Sequence, residues 1–159
     1  MQKNYYMIRI RDKRFDIIEP KSVVAVGWSN YNFAETERET LIEQINNDYA
    51  PQSRTNNLNK IKRFLDIKKG DYIIIPHYSD GIFDGIWLAV SDGEYIYDED
   101  CKTFDLANQL KVRFLRDKDG SISCVDKTQL SEPLLHCLKL PYSTILDLDD
   151  FGDEIEEIV

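Results

Sequence analysis

The chain has little of what enzymes use to do chemistry. It holds two histidines, His77 and His136, and three cysteines, Cys101, Cys124 and Cys137. Neither histidine stands in the spacing of a metal site or a catalytic triad, and the cysteines are not spaced as zinc ligands. Its seven glycines form no phosphate-binding loop. Glu19-Pro20-Lys21, with Asp12 or Asp16 upstream, has the Glu-x-Lys form of one class of metal-dependent nucleases, but it precedes its strand and a proline stiffens it. These absences predict a protein that is not an enzyme, with no cofactor and no metal. An odd cysteine count without a secretory leader fits reduced thiols. No apolar run approaches the ~18 residues of a membrane span. Met1-Gln2-Lys3-Asn4 lacks the apolar segment of a signal peptide, so the expected location is cytoplasmic, with no membrane partner.

Positive charge is also scarce. The 20 lysines and arginines face 29 acids, a net charge of −9. The deficit is uneven. Residues 143–159 hold seven acids and no base, which leaves residues 1–142 at a net −2. A strongly electropositive, non-specific nucleic-acid binder is thereby disfavoured. The division predicted is a module over residues 1–146 and an acidic segment over 147–159. In that segment Phe151, Ile155 and Ile158 fall at helical spacing. Two readings stand: a structural helix packed by its apolar face, or a mimic of nucleic acid lying over a basic surface.

What is present reads as short strands and helices. Tyr5–Ile10 and 23–28 are expected strands, with Arg11, Lys13 and Arg14 in a charged turn between them. Thr36-Glu37-Arg38-Glu39 has capping-box spacing before an amphipathic helix over 37–48. Pro51 ends it, a polar loop over 52–57 follows, and Leu58, Ile61, Phe64 and Leu65 mark a second helix. Tyr72–Pro76 and Ile82–Val90 read as a hairpin, with Gly85 marking a bulge or a close backbone approach. Asp92-Gly93 turns the chain into Glu94–Tyr97. Strands over Leu110–Leu115 and Ile122–Val125 follow, then a short helix near 131–138. Tight glycine turns favour antiparallel pairing. The fold class predicted is α+β, a small curved antiparallel or mixed β-barrel flanked by helices.

The stretch that draws attention is Val23-Val24-Ala25-Val26-Gly27-Trp28-Ser29-Asn30-Tyr31. A buried strand ends at a glycine and spills a tryptophan beside small polar residues. A flat apolar ring next to hydrogen-bonding groups suits a planar ligand. The same tryptophan could equally cap a core. For backbone phosphates the candidates are Arg9, Arg11 and Arg14, then Lys60, Lys62 and Arg63, then Lys111, Arg113 and Arg116. Each cluster can also be an ordinary solvated face.

Taken in order, Tyr6–Arg9, Val23–Trp28, Ile67–Ile74, Trp87–Val90, Tyr95–Asp98 and Leu110–Phe114 resemble a module found at the N-terminus of Mrr-like restriction proteins. The broader pattern is similar to the EVE and YTH domains of the PUA-like superfamily. The resemblance implies a PUA-like barrel that binds a modified base of DNA or RNA in an aromatic pocket, as part of bacterial restriction and antiviral defence. It implies a fused or associated nuclease or motor as partner. It further implies that Trp28, Ser29 and Asn30 wall the pocket, with Tyr31, Phe83, Trp87 and Tyr97 as further ligand contacts. Two other functions stay open on the residues: a protein-interaction module, with the acidic segment as its docking element, and a small enzyme acting on a base or nucleotide.

Overall fold

Runs of consecutive buried β-branched residues demand a sheet covered on both faces, and Tyr72-Ile73-Ile74-Ile75 is such a run. The computed structural model, described for residues 2–140 and 144–159, supplies both covers. Seven strands form one mixed sheet: β1 (Tyr5–Ile8), β2 (Val23–Val26), β3 (Tyr72–Ser79), β4 (Ile82–Tyr97), β5 (Asn108–Phe114), β6 (Cys124–Asp126) and β7 (Ile145–Asp147). The order is β2-β5-β4-β3-β1-β7, with β6 added on β4. Among the described residues only β1 and β3 pair in parallel, Tyr5 opposite Tyr72; the other pairings are antiparallel. The sheet curls, and no pairing joins β2 to β7 among the described residues, so the curl is a half-barrel. The curved α+β architecture with flanking helices is the one expected.

Alternate residues of the central strands serve two cores. Tyr6, Ile8, Ile73, Ile75 and Ala89 face an inner core closed by α1 (Asp12–Ile18), α2 (Arg38–Asp48) and α3 (Pro51–Leu65). Tyr5, Met7, Tyr72, Ile74 and Leu88 face an outer core closed by α4 (Glu132–Leu138) and α5 (Gly152–Ile158). Strand β5 lies beyond the outer helices, so it alternates in the ordinary way, with Lys111 and Arg113 exposed. Among the described residues no helix is long and apolar enough to cross a membrane.

Several local expectations need correction. Arg11, Lys13 and Arg14 are not in a turn. Arg11 caps α1 and the other two lie on it, because Phe15 and Ile18 bury a one-sided stripe. Residues 52–57 are helical, not a loop. Ala50 is extended, as a residue before proline tends to be, and Pro51 opens α3 at its first turn. The Thr36–Glu39 capping box does not form. The N-cap of α2 is Glu37, without a side-chain bond, and the turn before it is held by Asn32 Oδ1, which accepts from Ala34 N and Glu35 N (3.1 and 3.0 Å). Asp92-Gly93 does not end a strand. It is a bulge in β4, where the register with β5 shifts between Ser91 and Tyr95. The acidic C-terminal residues enter the fold: β7 pairs with β1, and Ile155 is fully buried in the outer core with Phe151 and Ile158 packed against it.

Candidate functional site

The site begins where β2 ends. Its last residues and the end of β1 stand apart across the opening of the half-barrel, and a cleft of about 770 Å³ lies between them. Arg9, Arg11, Arg14 and Lys139 line it, with Ala25, Val26, Tyr78 and Thr144. Among the described residues that line it there is no acid, although the whole chain is strongly acidic. A second cleft of about 380 Å³ shares Arg14, Gly27 and Thr144 with the first, and adds Trp28, Ser29, Asn30, Tyr49 and Asp105. The two clefts adjoin at those shared residues, the first lined by cations and the second by Trp28 and Tyr49 beside Asp105.

The loop carrying Trp28 is held under strain. Trp28 has φ +57°, a left-handed conformation that a bulky side chain rarely adopts. Such a conformation persists only where its surroundings impose it. Asn108, at the start of β5 and almost fully buried, supplies much of that constraint. Its Nδ2 donates to the carbonyls of Gly27, Trp28 and Tyr31 (3.2, 2.9 and 3.0 Å), and its Oδ1 accepts from Phe33 N (3.0 Å). Asp105 Oδ1 accepts from Ser29 N (3.0 Å). A Cβ at Gly27 would lie 2.7 Å from the other Asp105 oxygen, so a larger residue would shift the carboxylate that holds Ser29 N. The left-handed angle falls on the tryptophan and not on the glycine before it.

Trp28 combines the two roles that its sequence left open. It packs against the inner core, tilted on Phe33 at 6.4 Å, and it lines the second cleft. Its Nε1 donates to Asn57 Oδ1 (3.0 Å), which fixes the ring. Ser29 is buried and fully committed. Its N donates to Asp105, its Oγ accepts from Ala107 N, and its carbonyl accepts from the Tyr97 hydroxyl. Ser29 and Tyr97 therefore hold the loop. Asn30 is exposed at the rim. Tyr31 packs on the inner core and donates to Asp48 (2.7 Å). Burial first, then Asp105 and Asp48, push the Tyr49 hydroxyl above the usual phenol range, so it remains a neutral donor and acceptor in the cleft.

The other two aromatics lie elsewhere. Trp87 sits between Phe15 (4.3 Å) and His77 (4.2 Å), beside a small cleft that shares Ile10 and Tyr78 with the first. Phe83 is buried in the outer core against Tyr78. The nine candidate phosphate contacts also divide. Arg9, Arg11 and Arg14 come to the cleft. Arg9 is anchored there by Tyr78 and by the carbonyls of Leu138 and Leu140 (2.7 and 3.2 Å). The side chains of Arg11 and Arg14 have no hydrogen-bond or ion-pair partner among the described residues. Lys60, Lys62 and Arg63 are on α3, where Arg63 donates to Ile145 O (3.2 Å). Lys111 pairs with Glu94 (3.5 Å), and Arg113 and Arg116 line a different depression, with Arg116 paired to Glu19 (2.9 Å). That pair engages the Glu-x-Lys segment, whose Lys21 is bound to Asp98 (3.3 Å). Lys139, Tyr49, Asn57 and Asn108 carried no signal in the sequence; only the fold brings them to the loop.

Residues 10–136 match a family described as a domain of unknown function (DUF8426), and the chain belongs to that family. No curated protein matches it. Its fold is loosely similar to the YTH domain of the Zygosaccharomyces rouxii MRB1 protein, solved in complex with N6-methyladenosine RNA. The TM-score is 0.45 at 12% identity, over 99% of this chain and 84% of that one. A likeness at that level assigns no ligand to this chain.

Proposed function

We propose that the cleft binds nucleic acid, with a modified base laid against Trp28 and phosphates at its cationic end. The carrying observation is the junction itself. A cleft lined by four cations and, among the described residues, no acid adjoins one walled by a strained, hydrogen-bond-fixed tryptophan. Cations that release counterions supply affinity, and an aromatic face supplies stacking. Asn30 and Tyr49 stand where they can read the edge of a base, while Ser29, Tyr97 and Asn108 hold the loop. The resemblance to the N-terminal module of Mrr-like restriction proteins supports a role in defence, beside a nuclease or motor on the same chain or in a partner.

The test is titration of labelled oligonucleotides, DNA and RNA, with and without a modified base, against wild type and Trp28→Ala. Base stacking contributes about 1–3 kcal/mol, so the variant should bind roughly one to two orders of magnitude more weakly. A folded variant that binds as well as wild type removes Trp28 from the site. A protein that ignores every oligonucleotide yet captures an acidic peptide would make the cleft a protein-docking surface.

A further inference from the structure

At the end of the β3–β4 hairpin three strands bring together side chains that are far apart in sequence. His77 on β3, Asp84 on β4 and Cys124 on β6 each present one donor atom, and the three donors lie within 4.8 Å of one another. We propose that these three residues bind a single divalent cation of borderline softness, of the zinc class, and that the ion clips β6 to the hairpin. This site is separate from the Trp28 cleft and does not depend on what that cleft binds.

The donor set is one imidazole nitrogen, one carboxylate oxygen and one thiol sulfur, the mixture that zinc accepts and that magnesium or calcium does not. In a tetrahedral site with bonds of about 2.0–2.3 Å, donors stand about 3.3–3.7 Å apart. His77 Nδ1 and Asp84 Oδ1 are 2.5 Å apart, so they must part by about 1 Å to share an ion. All three groups are reachable. The side chains of His77 and Asp84 are 23% and 36% exposed, and Cys124 is exposed. Three protein ligands leave one position for water.

The backbone is arranged around this point. His77 pairs with Gly85, and Gly85 pairs with Asp126 on β6. The β3–β4 register shifts between His77 and Tyr78, a bulge of the kind that re-aims a side chain. Gly85 permits the approach of β6. A Cβ there would lie 2.3 Å from Val125 O and 3.1 Å from Cys124 Sγ. A larger residue would therefore displace the β6 backbone that carries Cys124. The Ser79 hydroxyl donates to the second Asp84 oxygen, and the His77 ring packs on Trp87, so both ligands are oriented from behind. Asp126 and Asp117 add negative charge near Cys124. A nucleophilic cysteine would want the opposite surroundings.

The experiment is a cobalt(II) titration of the reduced full-length protein, followed by zinc(II) competition and a thermal melt. Thiolate ligation to cobalt gives near-ultraviolet charge-transfer absorption, and tetrahedral geometry gives strong visible bands. Both should appear at micromolar cobalt and be displaced by zinc, and zinc should raise the melting temperature. Cys124→Ser should abolish the charge-transfer absorption, and Cys137→Ser should leave it intact. Asp84→Asn should keep that absorption and weaken binding at least tenfold. Absence of charge-transfer absorption at a hundredfold excess of cobalt would overturn the site. So would absorption that survives Cys124→Ser, or an Asp84→Asn variant that binds as tightly as wild type.

Discussion

In the acidic C-terminal layer the carboxylates next to the sheet have partners within the protein. Glu156 accepts from the Tyr5 hydroxyl (2.6 Å), Glu154 from Ser131 N and Oγ (2.8 and 2.5 Å), and Asp149 from Tyr5 N (2.8 Å). In the basic cleft, Arg11 and Arg14 have none among the described residues. Both regions gather like charges, which repel one another. The acidic layer offsets this with hydrogen bonds and with the burial of Ile155. The cleft offsets it at Arg9, through Tyr78 and two carbonyls, but not at Arg11 or Arg14 among the described residues, and it adds the strained Trp28 backbone. One arrangement is what folding alone selects, and the other breaks that consistency, which is where function is to be sought. The acidic layer makes its ion pair with Lys3 (3.8 Å), and it packs on the outer core.

The sharpest way to break the contrast is Asn108→Ala. It would orphan three carbonyls and one N–H around the Trp28 loop, at roughly 1–3 kcal/mol for each buried group left unsatisfied, less what the loop recovers by relaxing. A loss of about 3–5 kcal/mol is expected, with oligonucleotide binding lost in the protein that remains folded. Denaturant melts and titrations check both. Next comes Ile155→Ala in the acidic layer, where a fully buried side chain is truncated. It should cost about 2–4 kcal/mol and leave affinity unchanged. If it alters affinity instead, the acidic layer communicates with the cleft and the contrast fails.

Much of this was legible from local pattern. Val23–Val26 and Tyr72–Ile75 are continuous buried runs, and Phe151, Ile155 and Ile158 share one face. Trp28, Ser29 and Asn30 come to one cleft because they are contiguous. What could not be read depended on partners distant in sequence. The polar 52–57 segment has no apolar period to reveal a helix, so Asn57 and its bond to Trp28 were hidden. Asp92-Gly93 looks the same whether it turns the chain or bulges a strand, and pairing with β5 decides. Trp87 resembles Trp28 in sequence, but Phe15 and His77 enclose it. Lys139 reaches the cleft from beyond α4.

A smaller effect is expected from the cations one at a time. Each phosphate contact contributes about −0.7 to −0.9 to the slope of log affinity against log salt. With Arg11, Arg14 and Lys139 available and Arg9 also held within the protein, the cleft predicts two to four contacts, the fourth only if Arg9 takes part, roughly −1.5 to −3.5 in slope. Arg11→Gln, Arg14→Gln and Lys139→Gln should each flatten it by about one contact's worth. Lys111→Gln, whose lysine is paired with Glu94 away from the cleft, should leave it unchanged. Equal effects from all four would mean that charge acts at long range and the cleft is not the site.

The smallest effect concerns the acidic layer and pH. The Tyr5 hydroxyl is pushed up to about 12, first by its hydrogen bond to Glu156, then by burial and by the charges of Glu156 and its neighbours. Its folded value lies above the ordinary 10, so folding favours the protonated phenol. The resulting stability is fully present below pH 10 and is lost as pH rises from about 10 through about 12. Tyr5→Phe keeps the ring stacked on Tyr72 (5.6 Å, 5° between planes) and removes only the hydroxyl. At neutral pH the variant should melt slightly lower, by the equivalent of about 1 kcal/mol or less. Between pH 10 and 12 the two curves should converge. Tyr6, also raised to about 12, titrates in both proteins, so the difference between the curves isolates Tyr5. Curves that stay parallel across that range would show that the Tyr5–Glu156 bond contributes nothing to holding α5 on the sheet.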